Sequence, residues 1–420
     1  MEKLGIYVQV PFCQTKCTYC NFHTGVVNSS RFAPYIEAVC REINGHRELF
    51  QRAGVELPLG YIVGGVDTVY IGGGTPSLLD PAHLKRLLEE IRETFASDPV
   101  EVTLEADPET VEAEKAAAWV AAGINRVSFG VQSFIDKELV AAGRIHRRAA
   151  IYQAAGILRE TGIGNISFDL IAGLPHQTKE SWKESLSQSV GLKPEHVSVY
   201  LLEVDEGSRL GKELLEGGKR YSAGAVPDED EMAEYYEEAQ RVLGEAGYHH
   251  YEISNWGKPG FESKHNLKYW RREAYWGFGA GAHSFSGKQR WANVHDAGEY
   301  VAAIEQARKE EEQPRFISQG ARDGAEVATP QELRLARRAS AIEQLETVSV
   351  GQALEEELFL GLRQLDGIDV GRIERDYGVV LGEKLGKLEK AGFVERTGNL
   401  VRLAERKLSV SNEVFVELMK

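Results

Sequence analysis

From its first residues to about residue 203 the chain alternates between short runs of β-branched and aromatic residues and longer runs with apolar positions every three to four residues. The first kind predicts strands, the second one-sided helices, and their regular alternation predicts consecutive parallel βα units. Strands are predicted over Gly5–Val10, Thr68–Gly72, Glu101–Glu105, Arg126–Gln132, Ile166–Ile171 and His196–Glu203, with helices such as Pro81–Ala96, Thr110–Ala122 and Lys179–Val190 between them. Six α/β units make either an open doubly wound sheet or an incomplete barrel. Both place chemistry at the carboxyl ends of the strands.

Unusual residues gather where the apolar runs stop. Three thiols follow Val10, Gly72-Gly73-Gly74-Thr75-Pro76 follows Ile71, Glu105-Ala106-Asp107-Pro108 follows Leu104, Gln132 follows Val131, and Asp169 interrupts Phe168 and Leu170. Further on, Asp230–Ala246 reads as a long helix and His249–Trp256 as an extended segment, ahead of a glycine-rich stretch from Gly277 to Ser284. Between Gln306 and Thr347 the composition turns polar and charged, which predicts a linker. The expected division is therefore a catalytic-size unit over 1–305, a charged linker over 306–349 and a small domain over 350–420. That last segment opens with a helix, Ala353–Leu365, and holds a hairpin in which Phe393–Arg396 and Leu400–Leu403 flank Thr397-Gly398-Asn399. This arrangement resembles a winged helix.

At 420 residues and 42% hydrophobic content the chain can bury one large core and an appended smaller one. Its formal charge of −15 repels polyphosphate, and residues 350–420 carry 13 acidic and 11 basic side chains, so the winged-helix pattern is not a nucleic-acid footprint. No apolar run approaches the length of a membrane span, so no transmembrane segment is expected, and no signal-peptide pattern opens the chain. A cytoplasmic, reducing location is the expectation. Four cysteines are present, and three fall within eight residues, which no disulfide framework needs. Cys40 lies among Phe32, Tyr35, Ile36, Val39 and Ile43 at helical spacing and is expected in the core.

The strongest chemical signal is Cys13-x-x-x-Cys17-x-x-Cys20. Three thiolates on one loop can hold three irons of a cubane cluster and leave the fourth open to an outside ligand. Zinc is the alternative, but structural zinc normally takes four protein ligands in two pairs, and no second pair exists here; His23 is the residue that could complete such a site. The triple glycine at 72 to 74 either admits a ligand to the backbone or makes a plain tight turn.

Together the cysteine loop, the glycine loop and the strand-end residues resemble the radical S-adenosylmethionine superfamily, with its partial barrel of six βα units. The resemblance narrows to the branch that holds coproporphyrinogen dehydrogenases and haem chaperones. Its motifs stand here as Tyr70-Ile71-Gly72-Gly73-Gly74-Thr75-Pro76-Ser77, Asn125 to Phe134, Gly143-Arg144-Ile145-His146, Asp169 to Pro175, Tyr251-Glu252-Ile253-Ser254-Asn255 and Gly279 to Ser284. The resemblance implies a four-iron four-sulfur cluster on Cys13, Cys17 and Cys20, with S-adenosylmethionine on the fourth iron. It implies cofactor contacts from Tyr7, Tyr19, Gly73, Gly74, Thr75, Glu105, Gln132, Arg144 and Asp169. In that picture the glycines let the backbone accept from the methionyl amine while neighbouring N–H groups stay available. A carboxylate holds ribose hydroxyls, and the arginine pairs with the ligand carboxylate. Tyr7 reads equally well as a barrel-core aromatic.

Two features resemble the chaperones rather than the dehydrogenases. The dehydrogenases carry a further cysteine two places after the third, where this chain has Phe22, and they usually begin with a longer segment before the cluster. In addition, His265-Asn266-Leu267-Lys268-Tyr269-Trp270 resembles the chaperones' haem-binding signature, with His265 as the implied axial ligand. One departure stands out: family members generally have histidine where this chain has Gln9, so no proton transfer is expected at that position. The implied partners are haem, haem-accepting respiratory proteins and a reductant protein, with a homodimer as the assembly. The alternative is a dehydrogenase of porphyrin biosynthesis. No catalytic residue is assigned.

Overall fold

The structure is a computed structural model describing residues 3–57, 64–312 and 340–419. β1 (Leu4–Val10), β2 (Val66–Gly73), β3 (Glu101–Ala106), β4 (Arg126–Gln132), β5 (Asn165–Ala172) and β6 (His196–Leu201) lie side by side in chain order, all parallel. Between them run α1 (Phe32–Ala53), α2 (Pro81–Phe95), α3 (Ala113–Ala122), α4 (Arg148–Glu160) and α5 (Lys179–Gly191). The six strands and the helices predicted between them agree with the sequence reading to within a few residues. The helix expected from Thr110 starts at Ala113 because Pro108–Thr110 forms a separate 3₁₀ turn.

Each strand carries two sets of side chains. Ile6, Val8, Val69, Ile71, Val102, Leu104, Val127, Phe129, Phe168, Leu170, Val197 and Val199 join the buried core. The alternate positions are polar and bond to one another across strands: Tyr70 to Glu105, Ser128 to Asp169, and Ser167 to His196. Helices therefore cover one face, and the sheet curls into a partial barrel around the other.

Past β6, α6 (Glu229–Glu245) leads to a short hairpin, β7 (His249–Glu252) with β8 (Asn255–Gly257), which pairs with β6. After α7 (Lys264–Trp270), β9 (Tyr275–Phe278) returns to pair in parallel with β1. β10 (His283–Phe285), β11 (Gln289–Asn293) and β12 (Ile342–Thr347) then extend that edge antiparallel. The order is β12-β11-β10-β9-β1-β2-β3-β4-β5-β6-β8-β7, and its two end strands do not pair, which leaves the barrel open.

The linker expected over 306–349 needs correction at both ends. α8 (Ala297–Glu312) continues through its charged start, packed on α1, and residues 342–347 form β12. Leu345 lies opposite Trp291, so backbone pairing and a shared apolar contact recruit this polar strand to the sheet edge. Residues 313–339 lie outside the described residues.

The C-terminal unit contains α9 (Val350–Arg363), β13 (Ile368–Asp369), α10 (Val370–Tyr377), α11 (Gly382–Lys390), β14 (Val394–Thr397), β15 (Leu400–Leu403) and α12 (Ser411–Met419). Its three strands run in the order β13-β15-β14, and the hairpin read from the sequence is β14 with β15. Gly398 turns the β14–β15 hairpin with φ 63°, a left-handed conformation glycine takes without strain. Cys40 is 1% exposed in the core side of α1, as its spacing predicted. Among the described residues no helix is long and apolar enough to cross a membrane.

Candidate functional site

Cys13, Cys17 and Cys20 occupy the loop that leaves β1, and all three thiols are free and half-buried. The loop is tied to the carboxyl end of β2. The Gly74 N–H donates to the Val10 carbonyl at 2.9 Å and the Thr75 N–H to the Phe12 carbonyl at 2.7 Å. A Cβ on Gly74 would stand 2.5 Å from the Phe12 oxygen, and one on Gly73, whose φ is 109°, would stand 2.4 Å from the Gln9 side chain. The glycines are therefore needed for β2 to close against the cysteine loop. The N–H groups expected to remain available are all engaged, since Gly73 donates to Glu105 Oε2 at 2.9 Å and the next two hold the loop.

Arg144 lies across this junction. Its guanidinium donates to Cys17 Sγ at 3.4 Å and to the Gly130 carbonyl at 3.0 Å, and it pairs with Asp107. Asp107 also accepts from the Thr75 hydroxyl at 3.3 Å. A Cβ on Gly130 would meet Gln132 Nε2 at 3.0 Å, Arg144 Nη2 at 3.1 Å and Asp107 Oδ1 at 3.3 Å, so these three groups converge over one bare Cα. Gln132 reaches that point with φ 64°, where the β4–β5 register shifts between Phe129 and Gln132. A bulge that re-aims a side chain is a familiar device beside a functional site. Tyr19, within the loop, packs against the small apolar cluster that contains Leu174, Leu202 and Leu210, and burial pushes its phenol well above its ordinary range, with Cys17 adding to the effect.

Deeper in the barrel, Glu105 accepts from the Tyr70 hydroxyl at 2.9 Å as well as from Gly73. Burial pushes its carboxyl up to about 7 against the pull of those two bonds. Asp169 accepts from the Ser128 hydroxyl at 3.2 Å, and burial raises it too. Tyr7 donates to Gln9 Oε1 at 2.6 Å, and its ring lies 6.1 Å from that of Tyr70. Burial pushes the Cys13 and Cys20 thiols up, while a Thr24 hydroxyl draws Cys13 back.

The structure thus brings Cys13, Cys17, Cys20, Tyr19, Gly73, Gly74, Thr75, Glu105, Gln132, Arg144 and Asp169 to one end of the barrel, with Tyr7 just below them. His265 is elsewhere. It lies on α7 at the amino-terminal end of β2, fully buried, with Nδ1 2.9 Å from the Thr68 hydroxyl and Nε2 2.9 Å from the Tyr269 hydroxyl. Burial, with Lys268 and Arg126 nearby, lowers its pKa to about 3, so the ring is neutral. Among the described residues no three or more His, Cys, Asp or Glu side chains close on one metal-ion position. Asp107, the partner of Arg144, and the polar interior positions Arg126, Ser128, Ser167, His196 and Ser198 carry no recognisable motif of their own. Their signal was the polar residue at every second strand position, which marks a wet inner face.

The radical SAM superfamily pattern matches residues 7–188, and the HemN C-terminal domain matches residues 348–406. The chain is 34% identical to the heme chaperone HemW of Bacillus subtilis, over 97% of each chain. It is 31% identical to the HemW of Lactococcus lactis, over 98% of this chain and 96% of that one. The structure of Escherichia coli coproporphyrinogen III oxidase (HemN), described as a radical SAM enzyme, superposes with a TM-score of 0.76 at 21% identity, covering 100% of this chain and 89% of that one. That last likeness is one of fold. By its near full-length identity with these relatives, the chain belongs to the HemW family of the radical S-adenosylmethionine superfamily.

Proposed function

We propose that the chain is a haem chaperone that binds haem and passes it to respiratory haem proteins in the cytoplasm. It would carry a four-iron four-sulfur cluster on Cys13, Cys17 and Cys20, with S-adenosylmethionine on the iron these thiols leave free and a reductant protein supplying electrons. The observation that carries this reading is the near full-length likeness to relatives named heme chaperones, against a likeness in fold alone to the oxidase. Phe22, 66% exposed, stands where the dehydrogenases' further cysteine is expected, and this favours the same reading.

The donor set suits the cluster: three free thiols, and no fourth cysteine on the same loop. When bound, the cluster supplies an electron to the sulfonium of S-adenosylmethionine. The chain's own residues position that ligand. Glu105 and Asp169 present partly buried carboxyls at the depth where hydroxyls would be held. Arg144 already carries Asp107, so a ligand carboxylate meets a neutralised pair and shares the guanidinium. Gln9, bonded to Tyr7, orients without donating or taking a proton. Haem ligation by His265 requires Tyr269 to release Nε2, after which a neutral imidazole faces the iron. The core to residue 305, completed by β12, would serve the cofactors, and 350–420 would cover the α7 side.

Anaerobically reconstituted protein should contain sulfide and show broad iron–sulfur absorption. It should bind haem with a Soret shift that His265→Ala weakens. Coproporphyrinogen III supplied with S-adenosylmethionine and reductant should give no protoporphyrinogen, and its formation would overturn the chaperone reading. Zinc without sulfide in the purified protein would overturn the cluster.

A further inference from the structure

Arg126 opens β4 and is 1% exposed. It alternates with Ser128 on the polar inner face, and its charge reaches Asp169, Tyr70, His196 and His265. Among the described residues no carboxylate forms an ion pair with it and no acceptor takes a hydrogen bond from its guanidinium; its Nε is sealed from solvent with nothing to donate to. Asp169, the acid whose charge it feels, is held by the Ser128 and Ser198 hydroxyls. A buried cation with no carboxylate within ion-pair distance is costly, and a ligand that pairs with it relieves that cost.

Tyr7, Tyr70, Glu105, Gly130 and Asp169 are partly buried positions in strands that are otherwise mostly fully buried, and Tyr200 is 42% exposed, so the inner face between β1 and β6 keeps some contact with solvent. Arg126 lies at the opposite end of β4 from the cysteine loop. Six residues of strand separate it from Gln132, roughly 20 Å at about 3.3 Å per residue. A carboxylate chelated at the cysteine loop does not reach it.

We propose that Arg126 is an internal anchor for a carboxylate of the tetrapyrrole, so that haem is recognised by a propionate group inside the barrel as well as through its iron. This rests on the haem-chaperone reading. A guanidinium offers a carboxylate two parallel N–H donors, a stronger and more selective match than an ammonium. Arg126 is in register with Thr103 and Thr103 with Tyr70, whose ring centre lies 5.4 Å from that of His265, so one ligand would meet both.

The test is a Soret titration of the full-length, anaerobically reconstituted chain with haem and with haem dimethyl ester, whose propionates are masked. Wild type should bind haem between about tenfold and about a hundredfold more tightly than the ester, the range for one charge-assisted hydrogen-bonded pair. Arg126→Met should bring the two ligands to equal affinity, and Arg126→Lys should restore part of the difference. Should Arg126→Met lose its far-ultraviolet circular dichroism, Arg126→Gln, which keeps donors without charge, replaces it. Equal affinity of wild type for both ligands overturns the inference and leaves the chaperone reading standing. So does full discrimination by the uncharged variant, or a loss of S-adenosylmethionine affinity while haem affinity holds. Wild type that binds neither ligand overturns both readings.

Discussion

At the scale of single residues, the site depends on groups whose partners are already chosen. Arg144 holds Cys17, the Gly130 carbonyl and Asp107 at once, so Arg144→Met strands a carboxylate and a carbonyl together. Urea unfolding should show a loss of about 3 kcal/mol, the lower end for a broken buried pair because Asp107 keeps some solvent contact. A loss under about 1 kcal/mol would mean that water replaces the guanidinium without cost. His265 makes a different prediction. Its pKa of about 3 lies below that of an imidazole in the unfolded chain, so the ring stays neutral through the physiological range and protons do not compete with iron for it. Haem affinity should therefore be flat between about pH 5.5 and about pH 7.5. A fall on the acid side following a titration near 6.5 would identify an ordinary exposed histidine as the ligand.

At the scale of elements, the contact between β2 and the cysteine loop is made of backbone. Gly74→Ala would press a methyl against the Phe12 carbonyl, so β2 and the loop have to part. Reconstituted iron and sulfide should fall well below wild type. Gly156→Ala in α4 is the contrast: nothing lies within 4 Å of the added carbon, and the helix should gain about 0.5–1 kcal/mol. The glycine-rich stretch before β10 is positioned in a similar way by α1. Glu42, 2% exposed, accepts from the Gly279 N–H at 2.9 Å, from Asn293 at 2.7 Å and from the Tyr300 hydroxyl at 2.6 Å. Tyr35 bridges the Gln9 carbonyl and the Ala280 N–H. Burial lifts Glu42 to about 7, above its unfolded value, so the fold prefers the neutral acid. Its contribution is complete below the unfolded pKa and fades as pH rises from about 4.3 to about 7. Glu42→Gln should flatten thermal stability across that window, and an unchanged slope in wild type and variant would rule out this carboxyl as its source.

At the scale of the whole molecule, the C-terminal unit docks through charge onto the segments that flank β9. Glu356 accepts from Arg272 at 3.0 Å and from Arg290 at 2.9 Å, while Arg363 stacks on Trp270 with 4.5 Å to the ring centre and pairs with the buried Glu252 at 3.6 Å. Trp270 ends α7, the helix that carries His265, so the small unit and the haem motif share a boundary. Glu356→Ala leaves two arginines short of a partner. Faster amide exchange across Val350–Arg363 and α7, with little change in β3 and β4, is the expected outcome. Uniform exchange would mean that the apolar contacts alone hold the unit in place.

The sequence by itself determined the alternation of strands and helices, the hairpin at Gly398, the core position of Cys40 and the spacing of the three thiols, because each follows from local periodicity or local backbone chemistry. It was also enough to place the polar strand ends together, since parallel βα units leave their carboxyl ends on one side. Tertiary structure alone decided which donors were already taken. The Gly74 and Thr75 N–H groups close a loop and that of Gly73 holds Glu105 instead of waiting for a ligand, Arg144 spends its charge on Asp107, and His265 is sealed between Thr68 and Tyr269. The charged stretch expected as a linker likewise supplies an edge strand through pairing with β11. Hydrogen bonds between residues tens to hundreds of positions apart leave no periodic trace in the chain, and only the folded sheet brings those groups within reach of one another.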